Sequence, residues 1–105
     1  MSDFNAPLRD LRFVLHEVFN AQKVWDQLPE LQENADSETA DAILEEAAKV
    51  TGQLIAPLSR SGDEQGAQWN QGIVTTPDGF KDAYNTYIEG GWVGLSGNPA
   101  YGGMG

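Results

Sequence analysis

Cysteine is absent from the 105 residues, so the chain has no disulfide framework, thiol nucleophile, thiolate-ligated zinc or iron–sulfur site to offer. Cations are scarce. Six Lys and Arg stand against 16 Asp and Glu, a formal net charge of -10, and scattered cations on so acidic a chain form no patch for nucleic-acid phosphates. No run of 18 apolar residues occurs, and the first residues form neither a basic nor an apolar leader region. That pattern speaks against a membrane span and a secretory signal, and for a cytoplasmic setting. Leu, Ile, Val and Phe together number 23, close to the roughly 20% below which a charged chain is expected to stay disordered. The length allows one domain at most, with a thin core.

What is present reads as helices. Leu8, Leu11, Leu15 and Val18 recur at helical spacing, widened by Phe13, Val14 and Phe19, which predicts an amphipathic helix over 7–19 with Pro7 in its first turn. Val24, Trp25, Leu28 and Leu31 predict a short helix interrupted at Pro29, which cannot donate to a continuing one. Seven carboxylates with no cation lie between Glu30 and Glu46, the first part of that run being a linker. Asp36 or Ser37 is placed to cap a helix whose apolar face is Ala40, Ile43, Leu44, Ala47, Val50, Thr51, Leu54 and Leu58, with Glu38 and Asp41 near its positive end. Pro57 should end or kink it. Residues 59–72 read as a polar, glycine-punctuated connection that carries Trp69.

Thr76-Pro77-Asp78 supplies a capping hydroxyl, a first-turn proline and an acid, and Phe80, Ala83, Tyr84, Tyr87 and Ile88 then form a stripe that stops at Gly90-Gly91. Beyond it, seven of the twelve glycines fall between Gly90 and Gly105, among Trp92, Val93, Leu95 and Tyr101, a density that predicts tight loops. Gly72-Ile73-Val74-Thr75 is the one weak strand signal.

No complete active site is legible in these residues. Gly103-x-Gly105 lacks the buried strand that precedes a dinucleotide-binding turn, and Gly94-Leu95-Ser96-Gly97-Asn98 has Asn98 where a nucleophile elbow closes on glycine. A hydroxyl nucleophile needs an imidazole within reach, and His16 lies beside the stripe of the first helix, where a partly packed or surface role fits it better. Glu38, Asp41 and Glu45 share one helix face but lack any calcium-loop or Glu-x-x-His pattern, so they read as a solvated acidic face. Asp63-Glu64 read as ordinary loop charges. Trp69, Trp92, Tyr84 and Tyr87 could wall a ligand pocket or equally be core, and for the helix-spaced tyrosines Tyr84 and Tyr87 core is the favoured reading.

The ordered string is more telling than any single motif. Phe4-Asn5-Ala6-Pro7-Leu8-Arg9-Asp10, Phe13-Val14-Leu15 and Glu17-Val18 resemble the N-terminal extension of a bacterial branch of the acyl-CoA dehydrogenases. The similarity continues through Ile43-Leu44-Glu45-Glu46-Ala47-Ala48-Lys49, Leu54-Ile55-Ala56-Pro57-Leu58, Gly62-Asp63-Glu64-Gln65-Gly66 and Thr76-Pro77-Asp78-Gly79-Phe80. Ala83-Tyr84, the segment from Tyr87 to Leu95 and Pro99-Ala100-Tyr101-Gly102-Gly103-Met104-Gly105 complete it.

The resemblance implies a flavoenzyme in which a glutamate removes the α-proton of an acyl-CoA thioester while the β-hydride passes to FAD and electrons leave to an electron-transfer flavoprotein. It implies an all-α fold here, a small helical bundle: residues 1–35 as a helical extension and 36–105 as the first part of an incomplete N-terminal helical domain, with a Gly-rich C-terminal loop. On that correspondence the 105 residues precede the catalytic glutamate and most FAD and CoA contacts. No catalytic residue, cofactor-binding residue or metal ligand is therefore assigned, and the chain alone is expected to be inactive and free of FAD. Tyr101, Gly102 and Gly103 match the turn leading to helices that wall the acyl pocket, a shaping role. The whole enzyme is expected to be a homo-oligomer with no membrane span. The alternative is a free-standing acidic helical module that docks on a protein partner through its apolar stripes.

Overall fold

A computed structural model describes residues 4–105. It is 64% helical with a single two-stranded sheet, in agreement with the all-α expectation. Helix α1 (Leu8–Arg12) runs without a break into a π-helical turn (Phe13–Val18), together realising the predicted first helix. A left-handed Asn20 (φ 47°) turns the chain into α2 (Ala21–Asp26), and a 3-10 turn (Pro29–Leu31) begins at the proline that breaks the pattern.

Helix α3 (Ser37–Lys49) begins as the sequence predicts. Asp36 is extended, its Oδ1 accepts the Thr39 N–H at 2.7 Å and its Oδ2 accepts the Thr39 hydroxyl at 3.1 Å, satisfying donors that the first turn leaves free. These hydrogen bonds, the backbone one first, stabilise the carboxylate and hold the Asp36 pKa below its ordinary value.

The helix then departs from expectation. It loosens into a π turn (Val50–Ile55), tightens into a 3-10 turn (Ala56–Leu58) and resumes as α4 (Ser59–Gln65), where the sequence reads as a loop. Two residues account for the change of winding. The Thr51 hydroxyl donates back to the Ala47 carbonyl at 2.9 Å, and Pro57 has no N–H for a regular ladder yet tolerates the opening of a new turn. Because the chain absorbs the proline in a tightened turn, helix continues to Gln65, and Asp63 and Glu64 lie on a helix, with Glu64 paired to Arg60 at 3.0 Å.

A hairpin follows: β1 (Gln68–Asn70) pairs antiparallel with β2 (Ile73–Thr75), Trp69 opposite Val74, across Gln71 and Gly72, both at positive φ. This conformation closes two-residue hairpins. Helix α5 (Phe80–Glu89) stops at Gly90 as predicted, but Thr76 is not its cap. The helix opens one turn later, at Gly79 in a left-handed conformation (φ 86°) with no side-chain cap, because Phe80 N–H reaches the Pro77 carbonyl and Gln65 Oε1 takes the Asp78 N–H. Short 3-10 turns at Trp92–Gly94 and Pro99–Tyr101 complete the described chain.

The assembly is an elongated slab of 54 × 34 × 17 Å with a radius of gyration of 17.5 Å, against about 13 Å for a compact domain of this length. Its accessible surface is 8136 Å², whereas a compact monomer of its mass exposes roughly 5,800 Å². Ala21 and Ala83 are the buried hydrophobic residues among those described, and no large side chain is fully enclosed. Phe13, Phe19, Trp69, Ile73, Val74 and Val93 are each more than half exposed. The thin core expected from composition is thinner still: the helices are formed and the α3 stripe is half-buried, but much apolar surface on the other elements stays open to solvent.

Candidate functional site

The most closely built polar arrangement lies between α1 and α3. Arg12 and His16 stand one turn apart on the first helix, as Asp41 and Glu45 do on α3, so two positive-capable groups face two carboxylates. Arg12 Nη2 donates to Glu45 Oε1 at 2.6 Å, Arg12 Nε lies 3.6 Å from Asp41 Oδ1, and His16 Nε2 sits 2.7 Å from the same oxygen. Arg12 Nε is shielded from solvent without a hydrogen-bond partner. One turn further along, Gln22 Oε1 accepts the Ser37 N–H at 2.7 Å.

His16 thus has the partly packed place the sequence suggests, with a carboxylate partner that the sequence left unnamed. Arg12 was not singled out, although its four-residue spacing from His16, matched by Asp41 and Glu45, is a legible signal. Ser96 is exposed on a turn, and its hydroxyl has no place in this cluster. Of the three acids on one face of α3, Asp41 and Glu45 serve the interhelical cluster, leaving Glu38 exposed. Among the described residues no group of three or more His, Asp or Glu is arranged to hold a metal ion.

Grooves open beside the helices. One of about 380 Å³ is lined by Ile55, Leu58, Ser59, Phe80, Tyr84 and Tyr87, so the two tyrosines line an apolar groove instead of the core expected of them: Tyr84 is exposed and Tyr87 half-buried, because nothing packs over this face of α5. A second, of about 560 Å³, runs from Leu15 and Trp25 over Ile43 and Leu44 to Leu95, Met104 and Gly105. Trp92 lies in a third, of about 470 Å³, beside Glu38, Ile43, Glu46 and Met104. Trp69, on the hairpin, is 72% exposed and lines none of these.

The glycine-rich end is held by its own backbone. Gly103 N–H donates to the Asn98 carbonyl, Met104 N–H to Gly94 and Gly105 N–H to Gly97, at 3.1, 2.9 and 2.8 Å, while Asn98 Oδ1 accepts the Ala100 N–H at 2.8 Å. A Cβ at Gly103 would overlap the Gly97 backbone, so two strands of the loop approach at a distance only glycine permits. Gly102 turns the chain with φ 88°, and Tyr101 projects from this knot 90% exposed. A 3-10 turn, not a strand, precedes Gly103. Among the described residues no helix is long and apolar enough to cross a membrane.

Comparison with known proteins gives this scaffold its relatives. No family model matches the chain. Over 104 residues, 97% of the chain, it is 38% identical to 3-methylmercaptopropionyl-CoA dehydrogenase of Ruegeria pomeroyi. Over 86 residues, 79% of the chain, it is 31% identical to butyryl-CoA dehydrogenase of Syntrophomonas wolfei. The chain spans 17% and 14% of the length of these two curated relatives. The chain is therefore similar, over most of its length, to a small part of two acyl-CoA dehydrogenases, which supports its reading as a fragment of such an enzyme.

Proposed function

We propose that these 105 residues are the N-terminal helical part of a flavin-dependent acyl-CoA dehydrogenase that oxidises the α,β-bond of an acyl-CoA thioester. The observation that carries the reading is the match over 97% of the chain to an acyl-CoA dehydrogenase, and the wealth of uncovered apolar surface is what such a part would display. Both relatives are named for acyl-CoA substrates, which supports that substrate class. FAD, when bound in the whole enzyme, accepts the hydride.

On this reading residues 1–35 form an extension and 36–105 begin the N-terminal helical domain. Their work is structural: the grooves beside α3 and α5 accept apolar side chains from the remainder of the enzyme. Tyr101, Gly102 and Gly103 shape the approach to the acyl pocket, with Gly103 permitting the close turn and Tyr101 offering an exposed ring for packing. A cytoplasmic homo-oligomer passing electrons to an electron-transfer flavoprotein completes the proposal.

The test is to purify the intact polypeptide that the coding sequence specifies and assay it with acyl-CoAs of several lengths and an artificial electron acceptor. A yellow protein that turns over is expected. A colourless protein without turnover would overturn the reading and favour a free-standing interaction module, which the same uncovered faces would also serve. The 105-residue chain by itself is expected to retain no stoichiometric FAD.

A further inference from the structure

Segment 8–31 closes on α3 through half-buried Leu8, Leu15, Trp25 and Leu31, but the closure is incomplete. The groove of about 560 Å³ lies between Leu15, Trp25 and Leu31 on one side and Ile43 and Leu44 of α3 on the other. It shares Thr39, Ile43, Leu95 and Met104 with the groove of about 470 Å³ that holds Trp92, so the two form one trough over α3. Each part is of the size that encloses a small ligand. The floor is half-buried and apolar, and Met104 on the wall is 51% exposed. Gly105 also lines the trough: its N–H is held by the Gly97 carbonyl at 2.8 Å, and a Cβ there would lie 3.0 Å from Asn34 Nδ2. We propose that in the intact polypeptide the residues directly following Gly105 fold into this trough, as an apolar segment seated on Trp25, Ile43 and Leu44.

The proposal rests on the reading of the chain as part of a longer dehydrogenase, of whose relatives it spans 17% and 14%. On that reading the backbone passes Gly105 already at the wall of the trough. A segment tethered there meets the floor at the high effective concentration of an intramolecular contact, an advantage no separate molecule has. Charge opposes a second copy. Glu33, Asp36, Glu38 and Glu46 stand along the trough, and among the described residues the one cation paired with any of them is Lys49, 3.6 Å from Glu46. A second copy would bring a net charge of -10 to this carboxylate rim, and like charges repel. The floor in turn sets the chemistry of the occupant: an ionised side chain laid on Trp25, Ile43 and Leu44 would lose its water without gaining a partner. The inner face of the segment is therefore uncharged. The groove beside α5, lined by Ile55, Phe80 and Tyr84, includes no residue of the glycine-rich end and is left to other parts of the polypeptide.

Photo-cross-linking of the intact polypeptide tests this. p-Benzoylphenylalanine is placed at Ser96, an exposed residue on the trough wall, and the captured peptide is identified by mass spectrometry. Capture within the first about 10–14 residues after Gly105, the length of an average helix, is expected. The same probe at Tyr84, beside α5, should not capture them. In the unaltered protein, hydroxyl-radical labelling of Met104 and Trp25 should fall markedly from the 105-residue chain to the intact polypeptide. Flavin content and turnover of the same preparation read the family assignment separately. A yellow, active protein in which Ser96 captures another region, a second copy or nothing would overturn the proposal and leave that assignment in place. A colourless, inactive polypeptide would overturn the assignment itself, and a polypeptide that stops at Gly105 would overturn both. If the Ser96 variant fails to fold, labelling of the unaltered protein carries the test, and equal labelling of Met104 in the two forms would overturn the proposal.

Discussion

The two ends of the molecule are held by opposite means. The segment from Leu8 to Leu31 is tied to α3 through charged and amide side chains, whereas residues 90–105 contain no charged side chain and are closed by backbone hydrogen bonds around a glycine contact. The first device responds to salt because its energy is electrostatic and partly solvent-screened. The second responds to steric volume alone. A chain with few apolar side chains to bury can thus still fix its ends, and each end has a different vulnerability.

The largest break in that comparison should come from the glycine end. Gly103→Ala places a methyl group into the Gly97 backbone, which has no flexible side chain to yield, so the loop must open. A loss of about 1–3 kcal/mol is expected, the usual cost of forcing atoms into filled space, read from the denaturant midpoint. Chemical shifts of Gly94 and Gly97 should move while those around Arg12 and Glu45 stay in place. A double-mutant cycle of Arg12→Ala with Glu45→Ala probes the other end. Because the two side chains are 34% and 60% exposed, coupling of only about 0.2–1 kcal/mol is expected, vanishing at high salt, whereas the Gly103 effect should persist there.

The cap of α3 should give a loss of comparable size that depends on pH. Asp36 has a lowered pKa in the folded chain, so its contribution is fully present above the ordinary carboxylate range near pH 4 and fades as the pH falls through the lowered value. Asp36→Ala should therefore reduce α3 helicity at neutral pH, whereas Asp36→Asn keeps an accepting oxygen and should largely preserve it, and both should remove that acid sensitivity from its circular dichroism. Thr76→Ala should have the smallest effect, within about 0.5 kcal/mol, since Thr76 caps nothing in the folded chain.

Much of this architecture was legible because helices announce themselves by period and by their caps. The stripe Ala40, Ile43, Leu44 and Ala47, with Asp36 ahead of it, locates α3, and Gly90-Gly91 marks the end of α5. The errors have local causes. Residues 59–65 are polar and contain a glycine, so α4 has no apolar stripe to betray it; it exists because the Pro57 turn hands on a helical backbone. The weak strand signal at Ile73-Val74-Thr75 does mark β2, but β1 is too short to show alternation, and Gln71 occupies a left-handed turn position where Asn or Gly would have signalled a hairpin. Thr76 misled because Pro77 imitates a first helical turn that the chain delays to Phe80.

At the candidate site, each carboxylate of the α1–α3 cluster was visible alone. Their partnership with Arg12 and His16 depends on how two helices cross, which the matched four-residue spacings are compatible with but do not fix. The family likeness, carried by an ordered series of short blocks, was the more durable signal because it does not depend on packing at all.

The central claim is that these helices are part of a larger acyl-CoA dehydrogenase whose remainder covers their apolar faces. Hydroxyl-radical footprinting of Phe13, Phe19, Trp69, Tyr84 and Tyr101, in the 105-residue chain and in the intact polypeptide, tests it most directly. All five are at least half exposed here, so strong labelling is predicted in the isolated chain and marked protection of most of them in the intact polypeptide. Equal labelling in the two would contradict the account, because the faces left open by this fold would then be open in the whole molecule as well.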